Sequence, residues 1–181
     1  MVKEAIILAG GLGTRLRSVV SDLPKCMAPV AGRPFLTHVI RYLLSQGIEK
    51  FIFSLGYKHV VIEGFLNDQF PTLNCQFSVE EEPLGTGGAI HLACKRAAGK
   101  NVVVVNGDTL FKANIKDASS FHIDNNAECT LLLKPMQNFD RYGVVEVNDG
   151  GVIESFKEKQ FYEMGDINAG VYILNTESFI N

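Results

Sequence analysis

Val102-Val103-Val104-Val105 is the stretch that most restricts what this chain can fold into. Consecutive β-branched residues favour a strand, where their stiff side chains pack well. Without polar alternation the strand has no side to show to water, so it belongs in a parallel sheet covered on both faces. Ala5-Ile6-Ile7-Leu8 repeats the pattern, and Phe51-Ile52-Phe53-Ser54-Leu55 gives a further apolar strand. Helical patterns alternate with these runs. Pro34 to Gln46 places Phe35, Leu36, Val39, Ile40, Leu43 and Leu44 on one face, with Gly47 just past the end. His59 to Phe70 reads as a second helix, Phe77 to Glu80 as a short strand, and Gly88 to Ala98 as a third helix ended by Gly99.

Beyond Val105 the pattern changes. Ile115 to Asn125 reads as a helix, Ala127 to Leu133 and Gly170 to Leu174 as strands. Val144–Val147 and Val152–Phe156 alternate around Asn148-Asp149-Gly150-Gly151, a hairpin signal. The expected architecture is a mostly parallel α/β sheet with an antiparallel addition towards the C-terminus. At 181 residues, 46% of them hydrophobic, the chain is expected to form one domain with a sizeable core. A net charge of −3 argues against a nucleic-acid partner. No apolar run reaches the length of a membrane span, and only five apolar residues separate Glu4 from Gly10, which does not make a signal peptide. Cys26, Cys75, Cys94 and Cys129 show no metal spacing and read as reduced thiols of a cytoplasmic protein.

Ligands of open α/β sheets bind beyond the carboxyl ends of the strands. The loops expected there are Ala9–Lys25, Glu81–Gly88 and Asn106–Thr109. The first holds Gly10, Gly11 and Gly13, then Thr14 and Arg15, with Lys25 ten residues further on. Backbone without Cβ can fold tightly and aim N–H groups at phosphate oxygens. Two cations beside such a loop suggest charge stabilisation during reaction at phosphorus. Glycines alone also fit a plain strand-to-helix turn. A dinucleotide-binding loop is disfavoured because Leu16 stands where the third glycine of G-x-G-x-x-G belongs, and no P-loop string occurs. Asp108 follows a buried strand and a glycine, so its carboxylate would protrude where Mg²⁺ could bridge it to phosphate, although Asn-Gly-Asp is also an ordinary turn composition. Glu80, Glu81 and Glu82 are three adjacent carboxylates, at least one of which reads as solvated. The four histidines, His38, His59, His91 and His122, show no ligand spacing and read as structural or surface residues.

Leu8-Ala9-Gly10-Gly11-Leu12-Gly13-Thr14-Arg15-Leu16 with Pro24-Lys25, then Glu82-Pro83-Leu84-Gly85-Thr86-Gly87-Gly88, Val105-Asn106-Gly107-Asp108, Tyr142-Gly143-Val144-Val145, Glu158-Lys159 and Asn168-Ala169-Gly170-Val171 follow one another along nearly the whole chain. In that order they closely resemble the sugar-phosphate nucleotidyltransferases. The resemblance implies a Rossmann-like three-layer α/β/α nucleotidyltransferase fold. It also implies a reaction: a nucleoside triphosphate joins a sugar 1-phosphate and pyrophosphate leaves, with Mg²⁺ as cofactor. Arg15 and Lys25 would be catalytic, facing the leaving phosphates and the α-phosphate. Leu8, Ala9, Gly10, Gly11, Gly13, Thr14, Glu80, Glu82, Pro83, Gly85 and Thr86 would bind the nucleotide. Tyr142, Gly143, Glu158, Lys159, Asn168 and Gly170 would bind the sugar phosphate, and Asp108 the metal. Glu158-Lys159 also reads as a surface charge pair, and Tyr142-Gly143 as a turn.

A carboxylate only accepts hydrogen bonds, and guanine offers it two adjacent donors. Relatives that use uracil or thymine place glutamine hereabouts, so Glu80 or Glu82 favours guanine. Lys25-Cys26-Met27-Ala28-Pro29-Val30 and Arg17-Ser18-Val19-Val20 look like the branch that guanylylates heptose 1-phosphates. Ser18 stands where commoner branches carry proline. Alternatives are a mannose 1-phosphate guanylyltransferase, a uridylyl- or thymidylyltransferase of this fold, a Rossmann dehydrogenase, or a catalytically silent nucleotide-sugar-binding domain. Family members continue beyond the position of Asn181 with a further strand and a second metal carboxylate. The expectation is therefore a truncated domain with little turnover, whose uncovered edge favours homo-oligomers.

Overall fold

The computed structural model describes residues 1–11 and 23–180. β1 (Glu4–Leu8) opens the chain, and after a 3₁₀ turn (Lys25–Met27) come a small antiparallel pair, β2 (Pro29–Val30) and β3 (Arg33–Pro34). Then follow α1 (Phe35–Ser45), β4 (Lys50–Leu55), α2 (His59–Gln69), β5 (Cys75–Val79), α3 (Gly85–Cys94) and β6 (Asn101–Asn106). The last third holds α4 (Ile115–Asp124), β7 (Cys129–Phe139), β8 (Val145–Val147), β9 (Ile153–Phe156), β10 (Tyr162–Asn175) and α5 (Thr176–Ile180).

Six strands form the main sheet in the order β5-β4-β1-β6-β10-β7. β1, β4, β5 and β6 run parallel, whereas β10 runs antiparallel to both β6 and β7. The valine run behaves as its composition requires. Val103 and Val105 join Ala5, Ile7, Phe51 and Phe53 under Leu36, Ile40 and Leu43 of α1 and Ile62 and Leu66 of α2. Val102 and Val104 join Ile6 and Ile52 on the opposite face, under Ile90, Ala93 and Cys94 of α3. Helices on both faces give three layers, and period-two alternation divides each central strand between two cores. After β1 the chain moves outward through β4 and β5, then returns to place β6 on the other side of β1. That reversal opens a crevice beyond the carboxyl ends of β1 and β6.

Several boundaries differ from the sequence expectation. α3 begins at Gly85 rather than Gly88 and ends at Cys94 rather than Ala98. At its start, the Glu80 carboxylate accepts the Leu84 N–H at 2.8 Å. Past its end, the buried Glu4 carboxylate takes the N–H groups of Ala98 (3.0 Å) and Gly99 (2.8 Å), turning the chain into β6. β7 extends through Pro135, which an edge strand tolerates because one side of it needs no ladder donor. β10 is far longer than Gly170 to Leu174, and a bulge between Asn168 and Tyr172 lets it change register against β7. Leu44, expected on the buried face of α1, is exposed, while Thr37 is buried. The β8–β9 hairpin forms as expected. The Asn175 side-chain oxygen accepts the N–H groups of Glu177 and Ser178 to start α5.

Candidate active site

The crevice at the strand reversal is a cleft of about 940 Å³. Leu8, Ala9, Gly10 and Gly11 line it from the end of β1, Asn106 and Asp108 from the end of β6, and Lys25 and Cys26 from the 3₁₀ turn. One wall is Ser54, Gly56, Tyr57 and His59, between β4 and α2. Another is the run from Val79 to Pro83 with Gly85, Thr86 and Ala89 of α3. The residues expected around the nucleotide thus converge: Leu8, Ala9, Gly10, Gly11, Lys25, Glu80, Glu82, Pro83, Gly85, Thr86 and Asp108 share one cavity. Gly13, Thr14 and Arg15 lie outside the described residues.

Two glycines are required by close approach. A Cβ on Gly10 would stand 2.8 Å from Glu80 Oε1 and 3.1 Å from both the Gly56 nitrogen and the Leu55 carbonyl carbon. A Cβ on Gly107 would stand 3.1 Å from the Leu8 carbonyl oxygen, to which the Gly107 N–H donates at 2.8 Å. The first contact seats the end of β1 against the loop after β5. The second ties the turn bearing Asp108 to β1.

Charge at the floor is concentrated in one pair. Lys25 Nζ lies 2.5 Å from Asp108 Oδ2, with the two side chains 39% and 30% exposed. Asp108 Oδ1 accepts a long hydrogen bond, 3.3 Å, from the Thr109 hydroxyl. Burial, and then the negative charge of Asp108, push the Cys26 thiol up to about 12, so it lines the cleft as a protonated thiol. On the wall, His59 Nδ1 and Glu63 Oε1 are 2.9 Å apart, one helical turn from each other. Glu80 is the best-held carboxylate of its loop. It is half-buried and anchored through one oxygen, whereas Glu81 and Glu82 are exposed.

The residues expected at the sugar phosphate lie elsewhere. Tyr142, Gly143, Glu158, Lys159, Asn168 and Gly170 are not among the described residues lining this cleft. They belong to the two-stranded extension of β7 and β10 and to the hairpin seated on it. There Phe139 stacks on Tyr162 at 5.6 Å, and a Cβ on Gly165 would meet Val144 at 2.6 Å. Asn168 is committed locally: Oδ1 accepts the Gly170 N–H at 2.8 Å and Nδ2 donates to the Tyr172 hydroxyl at 2.9 Å. This clamp holds the bulge in which Gly170 takes a φ of +73°. Gly170 is the one of the six that reaches the cleft edge, because a Cβ there would lie 2.8 Å from Asn106 Nδ2.

Sequence reasoning missed Ser54, Gly56, Tyr57 and His59 as cleft residues. The signal was available: an apolar strand ending in glycine at Leu55-Gly56 repeats the ending of β1 at Ala9-Gly10. Among the described residues, no group of three or more His, Cys, Asp or Glu side chains converges to cage a metal ion. Mg²⁺ needs only one or two carboxylates when phosphate oxygens and water complete its shell, and Asp108 meets that demand. No described helix is long and apolar enough to cross a membrane.

A doubly wound sheet with paired glycines, a lysine and an aspartate at its reversal point defines an α/β protein with its ligand crevice at the strand reversal. Comparison with known proteins narrows this. A family model described as nucleotidyl transferase matches residues 4–181. A D-glycero-alpha-D-manno-heptose 1-phosphate guanylyltransferase from Aneurinibacillus thermoaerophilus is 51% identical, over 97% of this chain and 76% of the relative. A protein of the same description from Campylobacter jejuni is 44% identical, over 97% of this chain and 77% of its own. A crystal structure of HddC from Yersinia pseudotuberculosis complexed with GMP-PN superposes with a TM-score of 0.88 at 36% identity, covering 99% of this chain and 80% of that one. The chain belongs to the nucleotidyl transferase family.

Proposed function

We propose that this chain transfers GMP from GTP to a heptose 1-phosphate, giving a GDP-sugar and pyrophosphate. The observation that carries the reading is the convergence of Gly10, Gly11, Lys25, Glu80 and Asp108 in one cleft at the strand reversal. The relative that is 51% identical over 97% of the chain supports the heptose acceptor. The 36% identical structure complexed with GMP-PN supports the guanine nucleotide.

In this reading an oxygen of the sugar phosphate attacks the α-phosphorus of GTP. One phosphorus–oxygen bond forms there, the bond to the α,β-bridging oxygen breaks, and pyrophosphate leaves with that electron pair. The nucleophile is already anionic at neutral pH, so no general base is needed. What remains is positioning and charge neutralisation. Backbone N–H groups of Gly11 to Thr14 would hold the triphosphate beside Leu8, Ala9 and Gly10, and the start of α3 at Gly85 and Thr86 presents further N–H groups. Lys25 faces the α-phosphate and Arg15 the leaving phosphates. Glu80, whose carboxylate is held by the Leu84 N–H, would accept from guanine N1–H and N2–H. Glu82 and Pro83 complete that wall.

Asp108 would hold Mg²⁺, which when bound neutralises phosphate charge. Glu158 and Lys159 on the exposed hairpin end, with Tyr142 and Gly143, form the sugar-phosphate side. Asn168 acts by shaping the bulge at Gly170. Dependence on GTP and the free thiols support a cytoplasmic place of action.

The test is a panel of GTP, UTP, dTTP and ATP against several sugar 1-phosphates, read by pyrophosphate release with and without a chelator. GTP with D-glycero-α-D-manno-heptose 1-phosphate is expected to lead, and the chelator to stop turnover. Equal use of GTP and UTP contradicts the base assignment, and turnover unaffected by the chelator contradicts the metal.

A further inference from the structure

Lys25 and Asp108 come from opposite sides of the cleft floor, one from the turn before β2, the other from the turn after β6, and meet at 2.5 Å. Each is also the group assigned to a different part of the substrate: Lys25 to a phosphate oxygen, Asp108 to a divalent cation. A carboxylate bound to an ammonium at that distance has given its most accessible lone pair to a proton donor. A metal ion arriving alone must displace the ammonium or take the other carboxylate oxygen beside it, and in either case two like charges share a half-covered cleft. A metal arriving with a triphosphate meets a different balance. The phosphate oxygens draw Lys25 away from Asp108, and the carboxylate is released to the cation in the same event.

We propose that the Lys25–Asp108 pair is a latch that keeps free divalent cation off Asp108 and admits the metal together with the nucleotide. This rests on the assignment of Asp108 to the metal. It adds to Lys25 a second role besides facing the α-phosphate, as the group that sets the order in which metal and nucleotide enter. The neighbouring groups favour the latch. Cys26 beside Lys25 is a buried protonated thiol, and Thr109 beside Asp108 makes only a 3.3 Å contact to the other carboxylate oxygen. Among the described residues, Lys25 is therefore the cation that engages Asp108 directly.

The probe is Mn²⁺ alone, titrated into the nucleotide-free protein and followed by electron paramagnetic resonance or calorimetry. The wild type should bind it weakly. Lys25→Met should tighten binding about fivefold, the upper end of what release of a partly exposed pair supports. Lys25→Arg retains the cation and should restore weak binding, which separates the latch from a packing effect. Lys112→Met, a charge removed from an exposed position further along the loop after β6, should leave Mn²⁺ affinity within about twofold. Adding a non-hydrolysable GTP analogue should raise wild-type affinity towards that of Lys25→Met. Equal Mn²⁺ affinity in wild type and Lys25→Met overturns the latch. If Asp108→Asn then still abolishes Mn²⁺ binding, the metal assignment stands without it. If Asp108→Asn leaves the Mn²⁺ affinity of Lys25→Met unchanged, the metal assignment fails and the latch with it. Lys25→Gln provides the same comparison should Lys25→Met fail to fold.

Discussion

Replacing Gly10 by alanine probes how the strand end, the base-side carboxylate and stability are joined. The new methyl would stand 2.8 Å from Glu80 Oε1, 3.1 Å from the Gly56 nitrogen and 3.1 Å from the Leu55 carbonyl carbon. The two backbone contacts can yield by only a few tenths of an ångström, whereas the carboxylate can rotate away. Rotation breaks the 2.8 Å hydrogen bond from the Leu84 N–H. Overpacking of this kind costs about 1–3 kcal/mol, and loss of a partly exposed hydrogen bond to a charged group adds about 1 kcal/mol. The expected total is roughly 2–4 kcal/mol, measured by urea unfolding. Because the displaced group is Glu80, Gly10→Ala should also erode the preference for GTP over UTP in kcat/KM, as Glu80→Gln should. A double-mutant cycle decides between direct and indirect action. On a Glu80→Ala background only the two 3.1 Å contacts remain, so Gly10→Ala should cost about 1–2 kcal/mol less than in wild type. Additivity within about 0.5 kcal/mol, or an unchanged GTP preference in Gly10→Ala, would refute the coupling.

Lys25→Ala should lower turnover roughly 10²–10³-fold while weakening GTP binding less, as expected for a group that stabilises developing charge; normal steady-state turnover would remove Lys25 from the catalytic set. Burial lowers the pKa of His122, which contacts Thr130 and Asn101 in the interior, below its usual 6.5. The folded chain therefore keeps this histidine neutral while the unfolded chain takes up a proton. The associated stability is fully present above the usual value and declines as pH falls towards the lower folded one. Urea midpoints at about pH 7.5 and about pH 5.5 should show a larger drop for wild type than for His122→Asn, and identical drops would contradict it. With its thiol pushed up to about 12, Cys26 should resist iodoacetamide in the folded protein while exposed Cys129 reacts; mass mapping showing comparable labelling of both would count against a buried, protonated Cys26.

The core and the nucleotide side of the cleft were legible because both depend on local rules. The unbroken valine run demanded burial on two faces, and Val103 and Val105 do face a different core from Val102 and Val104. Gly10, Glu80 and Asp108 sit just beyond the ends of parallel strands, which topology gathers at one edge, and Lys25 opens the 3₁₀ turn before β2. The β4–α2 wall was less legible. Tyr57 and His59 carry no motif of their own and acquire meaning only because β4 lies beside β1. The start of α3 was misplaced because what sets it is a side chain, Glu80, reaching forward to Leu84. Its end was misplaced because Glu4, 94 residues away in sequence, captures Ala98. The strand read as ending at Leu133 runs on through Pro135, and the one read as starting at Gly170 begins at Tyr162, because an edge position and a bulge accommodate these two residues. On the sugar side Asn168 carries the expected identity, but its amide atoms close the bulge, a use no local pattern reveals.

Guanylyl transfer onto a heptose 1-phosphate is put to the test in a single competition experiment. GTP is supplied with equal amounts of D-glycero-α-D-manno-heptose 1-phosphate and mannose 1-phosphate, and the nucleotide sugars formed are resolved by mass. GDP-heptose is expected to form in clear excess over GDP-mannose, with one pyrophosphate released for each product. Predominant GDP-mannose, or no GDP-sugar while the protein remains folded and binds GTP, would contradict the account.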